Sequence, residues 1–158
     1  MVQGNIFNSN TLDVKMLKTG DENCPHCNRL MRAYCKTMDR RLAEELIELY
    51  KSVGGNRRTP FNPKEVFVGN HNKITDFQKL GYWWLIERTD KGGWWKVTYD
   101  GEQFLRGNLS IEKQIWIFNG EKIPNDNPNP EMVHIGNLCP RWQTDRLDYS
   151  EDFVLAKL

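Results

Sequence analysis

Residues 75–107 read TDFQKLGYWWLIERTDKGGWWKVTYDGEQFLRG, and the reading of this stretch decides the fold. Thr75, followed three residues later by Gln78, has the spacing of a capping box and predicts a helix that starts at Asp76. Phe77, Leu80 and Trp84 then fall on the inward face, and the segment passes into a strand near Leu85-Ile86. LIERTDKGGWWKVT predicts a hairpin. Two strand-like runs flank Asp90-Lys91-Gly92-Gly93, whose glycines supply the positive φ of a tight reversal. YDGEQFLRG predicts one more short helix, ended by Gly107.

Working outward, Asp39 is a good N-cap for RRLAEELIELYKSV, which Gly54-Gly55 closes. Leu42, Leu46, Leu49, Tyr50 and Val53 share one face, with Ala43 and Ile47 beside them, while Glu44, Glu45 and Glu48 are expected to face water. NRRTPFNPK reads as a loop, and EVFV as a short apolar piece before Gly69-Asn70. Beyond the central stretch, QIWIFNGEKI predicts a second hairpin turning at Asn119-Gly120, and PNDNPNP is a polar break. At the other end, TLDVKML reads as an extended segment. RLMRAYCKTM reads as a strand, with a helix still open as the alternative. The expected fold class is α+β, divided into an N-terminal element (1–38), a core with an extra β-hairpin (39–123) and an accessory segment (124–158).

The order helix, short strand, helix, strand, glycine turn, strand resembles the winged-helix family. Residues 75–107 carry the likeness: a helix ending in leucine, the exit Gly81 to Glu87, the hairpin, Trp95-Lys96-Val97-Thr98, then Gly101 to Leu105. The resemblance implies that Trp95 and Thr98 pack under the helices, with Gly101, Phe104 and Leu105 in the next turn. The chain also resembles a group of small phage- and prophage-encoded proteins. The shared residues are Cys24 to Cys27, Leu49-Tyr50, Tyr82 to Glu87, Gly93 to Thr98 and Gly101 to Gly107. That likeness implies origin and architecture and brings no catalytic residues with it.

On a winged-helix reading, the helix at 76–83 is the recognition helix, with Gln78 and Lys79 outward and Lys73 before it. Arg88, Lys91 and Lys96 decorate the wing. Cations there suit phosphates, and Gln78 suits a base edge in the major groove. Asp76, Glu87 and Asp90 stand among them, so a plainly solvated face is the alternative. A second basic cluster comprises Arg29, Arg32, Lys36, Arg40 and Arg41, with Arg57 and Arg58 following, and it suits a phosphate backbone or a solubilising edge. Trp94 and Trp95, neighbours in a strand, must point to opposite faces. Trp94 is therefore a candidate anchor for a protein partner, unless the C-terminal segment covers it. The two leading readings are thus DNA binding and protein binding by an inhibitor or adaptor that uses exposed tryptophans and the C-terminal tail.

DENCPHCNRL (21–30) raises the remaining chemistry. A redox Cys-x-x-Cys needs a hydrophobic strand delivering it to a helix N-terminus that stabilises the thiolate. Here LKTGDEN precedes it, and Asp21 and Glu22 would raise a thiol pKa. A zinc knuckle fits better: Cys24 and Cys27 give two thiolates on one turn, and Zn²⁺ takes four ligands. Cys35 ranks first to complete the set, then His71 and Cys139, then His134. Reduced, metal-free thiols are the competing expectation. The sequence offers no nucleophile elbow, no P-loop and no dinucleotide fingerprint, so the expectation is a non-catalytic protein with no small-molecule substrate. With no basic-then-apolar leader in MVQGNIFNSN and no spanning apolar run, the expected setting is the reducing cytoplasm, with no membrane partner.

Overall fold

The computed structural model describes residues 22–23, 30–125 and 127–142. It is a mixture of short helices and small antiparallel sheets, the α+β class expected from the sequence. The extended segment around TLDVKML, the Cys24–Cys27 motif, Arg29 and the C-terminal tail after Trp142 lie outside the described residues. The chain forms two compact units. One comprises the residues up to Thr37 together with Glu112–Glu131, and the other comprises Met38–Ile111 together with the residues from Met132 onward.

In the first unit, Glu22–Asn23 (β1) pairs antiparallel with Leu30–Met31 (β2). Tyr34–Thr37 (β3) forms the edge of a three-stranded antiparallel sheet ordered β3-β7-β8, with Gln114–Phe118 (β7) central and Glu121–Ile123 (β8) beyond it. Within RLMRAYCKTM, Leu30–Met31 and Tyr34–Thr37 are thus two strands, and the helical alternative falls away. Asn119 and Gly120 link β7 to β8 with φ of 52° and 77°. Two successive left-handed residues make the reversal that matches the twist of paired strands, which is why Asn-Gly marks it in sequence. Ile115, Ile117, Phe118 and Ile123 are buried. Burial alone would raise the Glu112 carboxyl, but the Lys122 ammonium at 2.7 Å and the Asn125 amide at 3.3 Å outweigh it and lower its pKa.

The second unit is organised on Arg40–Ser52 (α1). The Asp39 side chain accepts a hydrogen bond from Leu42 N at 2.9 Å, and Gly54 and Gly55 end the helix with φ of 64° and 76°. Its apolar stripe buries Leu42, Ala43, Leu46, Ile47, Leu49 and Tyr50. Each such side chain contributes about 1.5–3 kcal/mol on leaving water. Pro63–Val66 (α2) takes the end of the expected loop and the first half of the apolar piece EVFV. Asn62 caps it and Pro63 opens it, a favourable pairing because proline lacks only an N–H that the first turn leaves unbonded. The extended pairing falls instead on Phe61, which bridges Trp95 through hydrogen bonds of 2.7 and 2.9 Å.

The helix expected from Asp76 begins earlier. His71–Asp76 (α3) is capped by the Asn70 side chain on Lys73 N at 3.1 Å, and it runs straight into a 3-10 helix, Phe77–Trp83. Thr75 forms no capping box; its hydroxyl donates to the carbonyls of His71 and Asn72. The 3-10 turn also redirects the tryptophans. With three residues per turn, the inward face is Phe77, Leu80 and Trp83, not the Phe77, Leu80, Trp84 of an α-helical count. Trp83 is buried, whereas Trp84 is 66% exposed and closes the helix in the left-handed region at φ 60°.

Ile86–Arg88 (β4) and Trp95–Val97 (β5) pair as expected, in the register Ile86↔Val97 and Arg88↔Trp95. Tyr99–Leu105 (α4) follows, with the Thr98 hydroxyl accepting from Gly101 N at 2.9 Å and donating to the Trp84 carbonyl. A Cβ on Gly101 would overlap the Leu85 carbonyl oxygen and stand 2.9 Å from Val97 Cγ1, so glycine alone lets α4 approach β4 this closely. Tyr50 of α1 donates to Glu102 of α4 at 2.8 Å. Ile111–Glu112 (β6) pairs with Met132–Val133 (β9), and Ile135–Leu138 (α5) follows. The core of this unit is Met38, Leu46, Leu49, Leu80, Leu85, Ile86, Phe104 and Leu105.

Candidate nucleic-acid interface

The turn between β4 and β5 overhangs the 3-10 helix and leaves a trough beneath it. Phe61 pins β5 from one side, and Trp95 packs edge-on against Phe77 at 5.3 Å and 82°. The hairpin is closed by Thr89 N on the Trp94 carbonyl at 3.0 Å, and Gly93 takes φ 82°. Two adjoining hollows of ≈ 410 and ≈ 290 Å³ share Gln78, Gly92, Gly93 and Trp95. Arg88 and Lys91 line the larger, and Lys64 lines the smaller. The Arg88 guanidinium sits 5.1 Å over the Trp95 ring, and the Lys91 ammonium 4.6 Å over the Trp94 ring. Such cation–π contacts hold a cation in place without neutralising it.

Among the described residues, no carboxylate lies within ion-pair distance of Arg88, Lys91 or Lys64. The other predicted cations are engaged. Lys96 pairs with Glu87 at 3.5 Å, Lys79 with Asp76 at 2.6 Å and Lys73 with Glu48 at 2.5 Å. Arg40 pairs with Glu44 at 3.4 Å and Arg41 with Asp76 at 3.3 Å. An exposed pair of this kind is worth only about 0–1 kcal/mol, yet each must be broken or shared before its cation serves a phosphate. In the first unit, Arg32 lies 6.0 Å over the Tyr34 ring and Lys36 is half-buried on β3.

Trp94 and Trp95 are both half-buried, each with a cation over its ring, and both line the larger hollow. The more exposed indole is Trp84, which an α-helical count turns inward. Lys64 was also missed, because a cation opening a four-residue helix carries no motif.

Sequence periodicity misplaced a third residue. Glu45 was expected to face water with Glu44 and Glu48, but it is 1% exposed and neither carboxyl oxygen meets a hydrogen-bond donor among the residues described. The signal was present: Glu45 stands three residues after Leu42 and four before Leu49, on the apolar stripe itself. Burial first, and the facing Asp76 second, push its pKa from 4.5 to about 8. Burial and the nearby Asp76 charge thus keep the side chain a neutral acid at neutral pH.

The zinc candidates divide between the units. Cys35 is exposed on β3 in the first. In the second, His71 is exposed at the start of α3, and Cys139 is buried after α5. His134, ranked last, is exposed just before α5. Burial, followed by the Glu44 charge, pushes the Cys139 thiol above its ordinary value, with Arg40 opposing. Among the described residues, no three His, Cys, Asp or Glu side chains cluster as metal ligands would. Cys24 and Cys27 lie outside those residues. No described helix is long and apolar enough to cross a membrane. No family model, curated protein or solved structure matches the chain.

Proposed function

We propose that this chain is a non-catalytic DNA-binding protein with a winged-helix-like core, of the accessory or regulatory kind encoded by phages. The element order supports the core: α1, the Phe61 bridge residue, α2, the helical rod 71–83, then β4 and β5 with the turn between them as the wing. The phage-type origin rests on the sequence resemblance.

One observation carries the function. Arg88 and Lys91 stand on indole rings beside exposed Gln78, with their charges uncompensated by any described carboxylate. Fixed, unpaired cations can replace counterions along a phosphate backbone, while an amide side chain between them can reach base edges. Arg40 and Arg41 add phosphate contacts within the same unit, and Arg29, Arg32 and Lys36 are proposed as phosphate contacts of the first unit by itself. The N-terminal knuckle belongs to the same proposal, with zinc on Cys24 and Cys27 and with Cys35 as the third ligand.

Binding of duplex and single-stranded DNA, followed by fluorescence anisotropy at rising salt, tests the function. Affinity should fall steeply with salt, and replacing both Arg88 and Lys91 by alanine should weaken it roughly tenfold. Absence of binding to either form at low salt sinks the reading.

The second reading, a protein-binding inhibitor or adaptor, is favoured by Trp84. A tryptophan held at φ 60° and 66% exposed is strained and unshielded, as contact residues of interfaces often are. In that case Trp84→Ala abolishes co-purification of a defined protein and leaves nucleic-acid binding unchanged.

A further inference from the structure

We propose that the trough beneath the wing takes a single nucleic-acid strand, with an unpaired base against Trp95 and its flanking phosphates on Lys64 at one end and on Arg88 and Lys91 at the other. The inference deepens the DNA-binding reading and rests on it.

Three observations point to one strand rather than a duplex. The aromatic surface lies inside a concave trough, where Trp95, Phe77 and the wing residues Gly92 and Gly93 form part of the lining. A duplex keeps its base faces stacked internally and offers only edges and phosphates, whereas an unpaired base brings a π-face to an indole. The hollows, ≈ 410 and ≈ 290 Å³, are near the lower end of the sizes that hold small ligands, about 300–1,000 Å³.

Charge placement agrees. The cations a duplex would meet on the helical rod and the outer strand, Lys73, Lys79 and Lys96, are each tied to a carboxylate at 2.5–3.5 Å. Those lining the trough are not. One carboxylate, Asp90, sits in the wing turn beside Lys91, so the trough is not uniformly basic. Gln78 lies between the two hollows, where its amide can meet the Watson–Crick edge of an unpaired base. Arg88 and Lys91 already stand over indoles, so an incoming base would share the rings with them, stacking and cation–π contact acting together.

Fluorescence anisotropy with labelled oligothymidylate, the matching oligouridylate and a duplex of equal length tests this. The single strand should bind at least about tenfold tighter than the duplex, with a log–log salt slope near −2 for three phosphates. Lys64→Ala and Lys91→Ala, both exposed positions, should each weaken single-strand binding about threefold or more, while Lys96→Ala changes it less than about twofold. Binding of the duplex as tightly as the single strand, or indifference to Lys64→Ala, overturns the trough and leaves the DNA-binding reading intact. Preference for oligouridylate keeps the trough and overturns DNA as the target. Binding of none of the three overturns both.

Discussion

Glu45 on α1 and Asp76 at the end of α3 face each other as a carboxyl pair, with Glu45 almost wholly out of water. Arg41 and Lys79 pair with Asp76 from either side, and Lys73 stands nearby on Glu48. Two ionised carboxylates in that position would repel, which with burial keeps the proton on Glu45 up to about pH 8.

The pair makes stability depend on pH in a defined direction. The folded-state pKa of Glu45, about 8, exceeds the unfolded value of 4.5. Between those values the folded chain keeps a proton that the unfolded chain releases, so this contribution falls as pH rises from about 4.5 to about 8 and is flat outside that window. Glu45→Gln retains a donor toward Asp76 without the charge and should remove the slope, becoming more stable than the parent above pH 8 by a few kcal/mol. Urea unfolding at a series of pH values measures it, and parallel curves for the two proteins would refute the proton held on Glu45.

The 3-10 count separates two adjacent tryptophans. Trp83→Ala should cost about 3–5 kcal/mol by opening a cavity in the core. Trp84→Ala should change stability by less than about 0.5 kcal/mol, as is usual at an exposed position. Thermal unfolding of both variants decides whether the three-residue period governs this segment; equal losses would mean that it does not.

Gly101 has the same diagnostic value for the close approach of α4 to β4. Adding a methyl group meets a backbone oxygen that cannot rotate away, so Gly101→Ala should destabilise by about 1–3 kcal/mol despite the better helix propensity of alanine. A stabilised variant, read by the same unfolding curves, would show that the two elements can separate freely.

Cys139 should be slow to alkylate in the native protein. Its thiol is buried and its pKa is raised, and alkylation consumes the thiolate. Mass spectrometry after timed iodoacetamide treatment should show its modification at least about tenfold slower than in denaturant. Metal analysis of the same samples tests the knuckle: zinc that is retained by the parent and lost with Cys24→Ser supports it, and zinc-free parent protein refutes it.

Local sequence rules were reliable wherever one or two residues decide the backbone. Asp39 as a cap, Gly54-Gly55 as a stop, Asn119-Gly120 as a hairpin turn and Gly93 of the wing all act through side-chain oxygens or positive φ that need no distant partner. The apolar stripe of α1 was legible for the same reason, since helical period and burial coincide there.

What tertiary structure alone decided was the use of residues whose local chemistry permits two outcomes. The rod 71–83 tightened from α to 3-10, which put Trp83 inside and Trp84 outside, because packing selects between helices of nearly equal local cost. Glu45 went into the core because its apolar neighbours carry it there, and burial beside the Asp76 charge keeps its carboxyl protonated. The basic residues all looked alike in sequence. Only the fold assigned carboxylates to Lys73 and Lys96 and an aromatic ring to Arg88, because these pairings depend on distances that sequence separation does not set, whereas Lys79 meets Asp76 at a local i,i+3 spacing.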